Sequence, residues 1–231
     1  MLKERMVPEP AVTSLEAIAY QAGIHGYHKI QSTYARTDFA RNNICKLFLE
    51  LSSHDDDVLV MLDNDHIHPE NVVELLATKA HDIGVCGALA FRRGEPYDPL
   101  FFLRDPNRAQ LFNPAELDFG QVYQCAIVST SAIAIKRWVF MALAAHGYGW
   151  PWFKYEYTEG MPSEDMYFGK ICEQSGIPHY VDTNIIIPHL TWGAVERGMF
   201  EKYKELHPEK VKALFSPAEG VNITRLSGAL E

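Results

Sequence analysis

The sequence predicts a single α/β domain in which helices flank a mostly parallel sheet. Two short apolar runs, residues 58–62 and 83–91, have the length and uninterrupted hydrophobicity of buried strands. Each run follows a stretch whose apolar residues recur at helical spacing, and such alternation is typical of βαβ units with parallel strands. The chain has 231 residues, 47% of them hydrophobic and 22% charged, which suits one sizeable domain with its own core.

The first third of the chain is predicted to contain helices and short strands that lead into the first apolar run. Residues 4–8 and 27–32 could each supply a strand, and the capping-box spacing of Thr13 and Glu16 predicts a helix over about 14–22. A second helix follows, because five apolar residues then recur with helical spacing: Phe39, Ile44, Leu47, Phe48 and Leu51.

The rest of the chain continues this alternation with two irregular insertions. Predicted in order are a helix over 69–80, the second apolar run, a loop-rich insertion near 92–120, strand-like sequence over 122–135, a helix over 137–145, an aromatic-rich irregular stretch near 146–162, a helix opening after Ser163, a strand over 178–189 and a helix near 195–206. The domain therefore spans residues 1–207, and 208–231 form a polar tail.

Charge and cysteine content indicate which partners and which cellular compartment to expect. The 21 Lys and Arg against 30 Asp and Glu give a net charge of −9, which predicts no broad basic surface for nucleic acid. The cysteines, Cys45, Cys86, Cys125 and Cys172, are far apart in apolar patterns and are interpreted as reduced core residues. No signal segment or membrane span is expected, so the protein is predicted to be cytoplasmic.

The first candidate site is Asp63-Asn64-Asp65, which ends the apolar run of residues 58–62. The carboxyl edge of a parallel sheet is where ligands bind. In extended backbone, residues two apart point to the same side, so Asp63 and Asp65 could converge on one divalent cation. The alternative is a surface turn that precedes the next helix.

Two further features follow in order: Ser163-Glu164-Asp165 at a predicted helix start, and His189 after a predicted strand. Together with Asp63-Asn64-Asp65, this order and spacing resemble the GT-A fold glycosyltransferases, especially those of family 2. The resemblance covers most of the chain, and its other matching segments are Ala40-Arg41-Asn42, Pro151-Trp152-Phe153 and Val181-Asp182. It implies a GT-A, Rossmann-like fold and transfer of a sugar from a nucleotide-sugar donor to an acceptor hydroxyl.

The resemblance implies a divalent cation that neutralises charge on the leaving diphosphate. By the family pattern, Asp65 ligates the metal directly and Asp63 contacts the donor ribose or the metal. His189 is the third protein ligand implied, with a surface histidine as the alternative. Mixed oxygen and imidazole ligation favours Mn²⁺ over Mg²⁺.

The resemblance also assigns Asp165 as the general base that accepts the proton of the acceptor hydroxyl. Glu164 would orient the acceptor or the neighbouring backbone. A single base facing the leaving group implies direct displacement, hence inversion at the anomeric carbon. The alternative is that both acids only stabilise a helix N-terminus, where carboxylates favour the dipole.

Several other side chains are candidates for substrate binding. Arg41, Arg92 and Arg93 could face the diphosphate of the donor, although Arg41 could equally be a solvated helix residue. Trp152 and Phe153 could form a platform for the acceptor, or could pack in the core. His66 and His68 offer an alternative metal pair two residues apart.

Two departures from the family pattern bear on the donor. Few residues precede Pro8, where relatives carry a strand and loop for the nucleotide base, and bulkier Ser129-Thr130-Ser131 stands where many relatives have Gly-Thr-Gly. Alternative functions are a nucleotidyltransferase on a similar fold and a non-catalytic sugar-binding relative. The acceptor class stays open among a glycan, a protein and a modified nucleic-acid base, and so does the oligomeric state.

Overall fold

A computed structural model describes residues 9–32, 36–105, 110–114, 116–156, 163–191 and 194–215. Its helices are α1 (Glu9–His25), α2 (Thr37–Leu51), α3 (Val72–Ile83), α4 (Arg137–Ala145), α5 (Glu164–Gln174), α6 (Arg197–Leu206) and α7 (Pro208–Phe215). Its strands are β1 (Val58–Leu62), β2 (Val85–Leu89), β3 (Phe101–Arg104), β4 (Leu111–Phe112), β5 (Val122–Cys125), β6 (Ile127–Val128), β7 (Ala132–Lys136), β8 (His179–Ile186), β9 (His189–Leu190) and β10 (Ala194–Val195).

The central sheet has five strands in the order β1-β7-β2-β8-β5. Strands β2 and β8 pair in parallel, whereas β1 with β7, β2 with β7, and β5 with β8 pair antiparallel. The predicted α/β class with flanking helices is confirmed, but the sheet is mixed rather than mostly parallel. The reason is that β7 lies between β1 and β2 and runs against both. Smaller sheets are formed by β4-β3-β6 and by β10-β9.

The alternation of side chains along β7 separates the two faces of the sheet. Ala132 and Ala134 point to a core cluster shared with α1 and α3, while Ile133 and Ile135 point to a larger cluster shared with α2, α4 and α5. The four cysteines are free and buried within these clusters, as predicted. The sheet is therefore covered by helices on both faces.

The N-terminal part of the chain differs from its prediction. Helix α1 runs from Glu9 to His25, longer at both ends than the predicted 14–22. Residues 27–32 are coil, and most of their side chains are exposed, so the strand predicted there is wrong. The strand predicted over 4–8 lies outside the described residues.

The two segments predicted to be irregular differ from each other. Residues 92–120 contain strands β3 and β4, which belong to the small three-stranded sheet. The described part of 146–162, residues 146–156, has neither helix nor strand. Helix α7 lies at the beginning of the segment predicted to be a tail.

Strand direction determines where the candidate residues meet. Strand β7 is antiparallel to both β1 and β2, and β2 is parallel to β8, so β1, β2 and β8 all run the same way. Their carboxyl ends therefore lie at one edge of the sheet. Asp63 follows β1, Arg92 and Arg93 lie shortly after β2, and His189 lies shortly after β8.

Candidate metal centre

Asp65, His66 and His189 converge beyond this edge of the sheet. Each offers one possible ligand atom, and these atoms all lie within 4.8 Å of one another. His189 Nε2 is 3.6 Å from Asp65 Oδ2, and His66 Nδ1 is 2.9 Å from Asp65 Oδ1. The two imidazole rings stack with their centroids 4.0 Å apart. The sequence-predicted pair of Asp65 and His189 is thus brought together, with His66 added.

Backbone hydrogen bonds hold this cluster in place. His66 and His189 face each other across an antiparallel bridge. The amide of Leu190 donates to the carbonyl of Asp65 at 2.9 Å, and the amide of Ile67 donates to the carbonyl of Pro188 at 3.0 Å. Residues that lie opposite one another in an antiparallel pair have their side chains on the same face. The bridge therefore positions the rings of His66 and His189 together, on the side of Asp65.

The orientation of His189 suits a metal ligand. Its Nδ1 lies 3.0 Å from the carbonyl oxygen of Phe91, to which a protonated Nδ1 donates. That tautomer leaves the lone pair of Nε2 directed at Asp65, the arrangement that metal-binding histidines typically have. His66 is buried, and its Nε2 has no hydrogen-bond partner among the described residues.

The spacing of these groups also fits a metal ion. Ligand bonds of about 2.0–2.2 Å place any two ligand atoms at most about 4.4 Å apart, so the observed cluster needs to contract by only a few tenths of an ångström. Two imidazoles and one carboxylate are ligands that Mn²⁺, Fe²⁺ and Zn²⁺ accept more readily than Mg²⁺ does. Three protein ligands would leave positions open for substrate oxygens.

The charge state of Asp65 is suited to binding a cation. Partial burial by itself raises the pKa of Asp65, but the interactions of its carboxylate with His189 and His66 outweigh burial and hold that pKa well below its usual range. Burial lowers the pKa of His66. Near neutral pH the cluster therefore presents a carboxylate beside an imidazole that favours its neutral form.

Arg93 lies directly on this cluster. Its Nη2 donates to Asp65 Oδ2 and lies 2.8 Å from His189 Nε2, while its Nε donates to the same nitrogen at 3.2 Å. About half of the Arg93 side chain is exposed. The guanidinium thus contacts the atoms on Asp65 and His189 that a metal ion would need.

Asp63 belongs to a second, adjoining cluster built around Arg41. Arg41 Nη2 donates to Asp63 Oδ1 at 3.0 Å and to Oδ2 at 2.8 Å, and Arg41 Nη1 forms an ion pair with Glu164 Oε1. Arg41 and Glu164 are both buried. The ion pairs join the end of β1 to the first residue of α5, so Arg41 and Glu164 here hold the framework of the site together.

Asp63 and Asp65 contact different side chains in the structure, Arg41 for Asp63 and Arg93 for Asp65. The chain turns at Asn64 and Asp65 immediately after β1, so the extended geometry that would align the two carboxylates is lost. Burial raises the pKa of Asp63, and the charge of nearby Asp65 adds to this rise although Arg41 opposes it. The carboxylates are therefore neighbours with different partners.

Asp165 occupies the first turn of α5 and is half-buried. Its Oδ1 accepts hydrogen bonds from Ser163 Oγ and from the amide of Met166, the latter at 2.8 Å. Ser163 is the N-cap residue by backbone geometry, but its hydroxyl is used by Asp165 rather than by the helix. Ser163 therefore orients the carboxylate of Asp165.

Trp152 and Phe153 lie in the core rather than on an acceptor-facing surface. Trp152 packs edge-on against Phe140, and Phe153 stacks on Phe168. Asn42, next to Arg41, holds this loop: its Oδ1 accepts from the amides of Trp152 and Phe153 at 2.8 and 3.1 Å. The aromatic pair thus matches the core-packing alternative, because hydrogen bonds from the loop to Asn42 of α2 hold both side chains in the core.

The remaining candidates lie beside the cluster. Arg92 forms a bidentate ion pair with fully buried Asp98, at 2.5 and 3.0 Å, whereas Arg93 contacts Asp65 and His189. His68 Nε2 lies 2.8 Å from the carbonyl oxygen of Asp63, so its ring supports the turn after β1. In the segment Ser129-Thr130-Ser131, the backbone carbonyl of Ser131 accepts a hydrogen bond from the amide of Asp63 at 2.8 Å.

The residue that the sequence underrated is His66. Its only sequence signal is its position next to Asp65, and the His66 and His68 pair two residues apart pointed to a separate site. The structure splits that pair, with His66 in the cluster and His68 outside it. The contact of His66 with His189 depends on tertiary pairing that no local pattern reveals.

Comparison with known proteins gives structural similarity alone. No protein-family model and no curated protein sequence matches the chain. The chain is similar to the crystal structure of A197 from STIV, at 16% identity and a TM-score of 0.51, over 80% of this chain and 81% of that one. It is also similar to apo UDP-glucose pyrophosphorylase, at 9% identity and a TM-score of 0.41, over 80% of this chain and 64% of that one. The first match describes a shared fold over most of both chains, and neither match assigns an activity.

Among the helices of the described residues, none is both long and apolar enough to cross a membrane.

Proposed function

We propose that the chain is a metal-dependent glycosyltransferase that moves a sugar from a nucleotide-sugar donor to an acceptor hydroxyl. The observation that carries this proposal is the convergence of Asp65, His66 and His189 where β1, β2 and β8 end, with Arg93 against them. Open α/β sheets bind their ligands in this location. The order of acidic motifs and histidine that resembles the GT-A family gives the same assignment.

The charges at this edge suit a leaving diphosphate. A divalent cation held by Asp65, His66 and His189 would supply Lewis-acid stabilisation of the charge that develops on the leaving group. Arg93 is half-exposed and close enough to add a guanidinium to the same oxygens. The two imidazole ligands support Mn²⁺ rather than Mg²⁺ as the ion.

Asp165 is the proposed general base. The acceptor oxygen forms a bond to the anomeric carbon as the bond from that carbon to the diphosphate oxygen breaks. The electron pair leaves with the nucleoside diphosphate, and the acceptor proton passes to the carboxylate of Asp165. One direct displacement inverts the anomeric configuration. The hydrogen bond from Ser163 fixes the carboxylate, and Glu164 anchors the same helix end to Arg41.

The test is metal-dependent turnover of nucleotide sugars. The protein is incubated with a panel of nucleotide sugars, Mn²⁺ and mixed sugar acceptors, and released nucleoside diphosphate is measured by chromatography. We expect release that requires Mn²⁺ and is abolished by a chelator and by Asp65→Asn. Release of pyrophosphate from a nucleoside triphosphate and a sugar phosphate would instead establish a nucleotidyltransferase. Metal-dependent sugar-nucleotide binding without turnover would establish a non-catalytic sugar-binding protein.

A further inference from the structure

We infer that the guanidinium of Arg93 is an exchangeable internal cation that occupies the metal cluster in the absence of metal. When a metal ion and a diphosphate bind together, the guanidinium leaves the cluster and binds the diphosphate. This inference rests on the proposed function. The key contacts are those of Nη2, which donates to Asp65 Oδ2 and to His189 Nε2. A metal ion would use these same lone pairs, so the guanidinium and the ion cannot occupy the cluster at the same time.

The surroundings of Arg93 allow its side chain to leave. The neighbouring Arg92 is anchored by a bidentate ion pair to buried Asp98, which fixes the backbone on one side. Gly94 follows on the other side in open space, and half of the Arg93 side chain is already exposed. The side chain can therefore rotate outward while the backbone after β2 stays in place.

Arg41 provides the contrast within the same site. It is buried and bound on both sides, by Asp63 and by Glu164, so releasing it would leave two carboxylates without their partner. When Arg93 is released, only the carboxylate of Asp65 loses its partner, and a metal ion can then bind it. Arg93, not Arg41, is thus the cation that can be exchanged.

Exchange couples metal binding to diphosphate binding. Metal alone must displace Arg93 into solvent, which weakens its apparent affinity. With a diphosphate present, the displaced guanidinium gains a new anionic partner, so each ligand strengthens binding of the other by the same factor. The cluster would then take up metal mainly as a complex with a diphosphate.

The experiment measures Mn²⁺ binding by the metal-free protein and its Arg93→Met variant. Free Mn²⁺ is followed by electron paramagnetic resonance, with Mn²⁺ alone and then with inorganic pyrophosphate. We expect Arg93→Met to bind Mn²⁺ alone about fivefold or more tightly, since the variant lacks a competing ion pair. We also expect it to lose most of the mutual strengthening between Mn²⁺ and pyrophosphate. Repeating the titration in 1 M KCl, where the screening length is about 3 Å, separates direct occupancy from long-range charge.

The matched control is Arg104→Met, which removes another partly exposed arginine paired bidentately with a carboxylate, that of Glu173. It should leave both measurements unchanged. Equal or weaker binding of Mn²⁺ by Arg93→Met would overturn the inference, as would a gain that disappears in 1 M KCl. If pyrophosphate strengthens Mn²⁺ binding as much in Arg93→Met as in the wild type, the proposed binding of Arg93 to the diphosphate is wrong. Failure of the proposed function is distinct, because it is decided by release of nucleoside diphosphate in the turnover assay, whereas this inference is decided by Mn²⁺ affinity.

Discussion

The imidazole of His189 faces the carboxylate of Asp65, with 3.6 Å between Nε2 and Oδ2. The two residues follow β8 and β1, which are not neighbours in the sheet. They meet because both strands run in the same direction and end at the same edge. A site assembled in this way depends on the whole sheet, which is why its members lie far apart in the sequence.

Replacing Asp65 should remove metal binding without unfolding the protein. Asp65→Asn keeps the size of the side chain but loses the charge that faces both imidazoles, so we expect binding of Mn²⁺ to fall by at least about 100-fold. Calorimetric titration and a melting curve measure the two effects. The control is Asp82→Asn, an exposed carboxylate 3.4 Å from the neighbouring His81 and outside the cluster. Equal Mn²⁺ affinity in the two variants would exclude Asp65 as a ligand.

Replacing Asp165 should separate chemistry from binding. Asp165→Asn cannot accept a proton, so we expect turnover to fall by about 10²–10⁴-fold while Mn²⁺ and donor affinities persist. If Asp165 only stabilises the start of α5, asparagine should preserve turnover and change stability by at most about 1 kcal/mol. Turnover at saturating donor decides between the two, and near-normal turnover would refute Asp165 as the base.

Removing Arg41 should destabilise the fold strongly. Arg41→Met would leave buried Glu164 and partly buried Asp63 without their cation, at a cost of about 3–5 kcal/mol. Urea unfolding should show this loss, and adding Glu164→Gln should restore part of it. The control, Arg104→Met, removes a more exposed ion pair and should cost under about 1 kcal/mol. Similar stability of the two single variants would contradict the framework role of Arg41.

Acid should destabilise the protein through buried histidines. His179 is buried without a hydrogen-bond partner among the described residues, and burial lowers its pKa to about 4. Burial also lowers the pKa of His68 to about 4. The unfolded chain takes up protons below about pH 6.5 while the folded chain does not, so stability falls as pH drops from about 6.5 to about 4.

The variant His179→Leu tests this contribution. It removes one titrating group from a core position, so its loss of stability between pH 7 and pH 5 should be smaller than that of the wild type by about 1–2 kcal/mol. Urea unfolding at the two pH values measures the difference. The exposed substitution His81→Leu serves as the control. Identical pH dependence in His179→Leu and wild type would contradict a neutral buried His179.

Local patterns in the sequence were sufficient to predict most helices and the main strands. The pattern over 137–145 predicts helix α4 with its observed bounds. The apolar run ending at Leu62 predicts strand β1, because buried strands consist almost entirely of apolar residues. Pairing direction was not predictable, because β7 has the same apolar composition whether it runs with or against its neighbours. The strand expected at 27–32 failed because most of those side chains are exposed.

The site was predictable in outline but not in its partners. Asp65 and His189 could be expected at one edge because each follows an apolar strand. The chain turns at Asn64 directly after β1, and the stacking of His66 on His189 arises only in the folded chain. The burial of Trp152 and Phe153 likewise depends on Asn42, which reaches their amides from a distant helix.

The most direct test of the metal centre is pulsed electron paramagnetic resonance of bound Mn²⁺, which detects nitrogen nuclei of coordinating imidazoles. We predict two such nitrogens in the wild-type protein, one in His66→Ala and one in His189→Ala. The control His68→Ala should retain two, because His68 lies outside the cluster. Bound Mn²⁺ that shows no imidazole nitrogen, or the same two nitrogens in His66→Ala and His189→Ala, would contradict the assignment of the site.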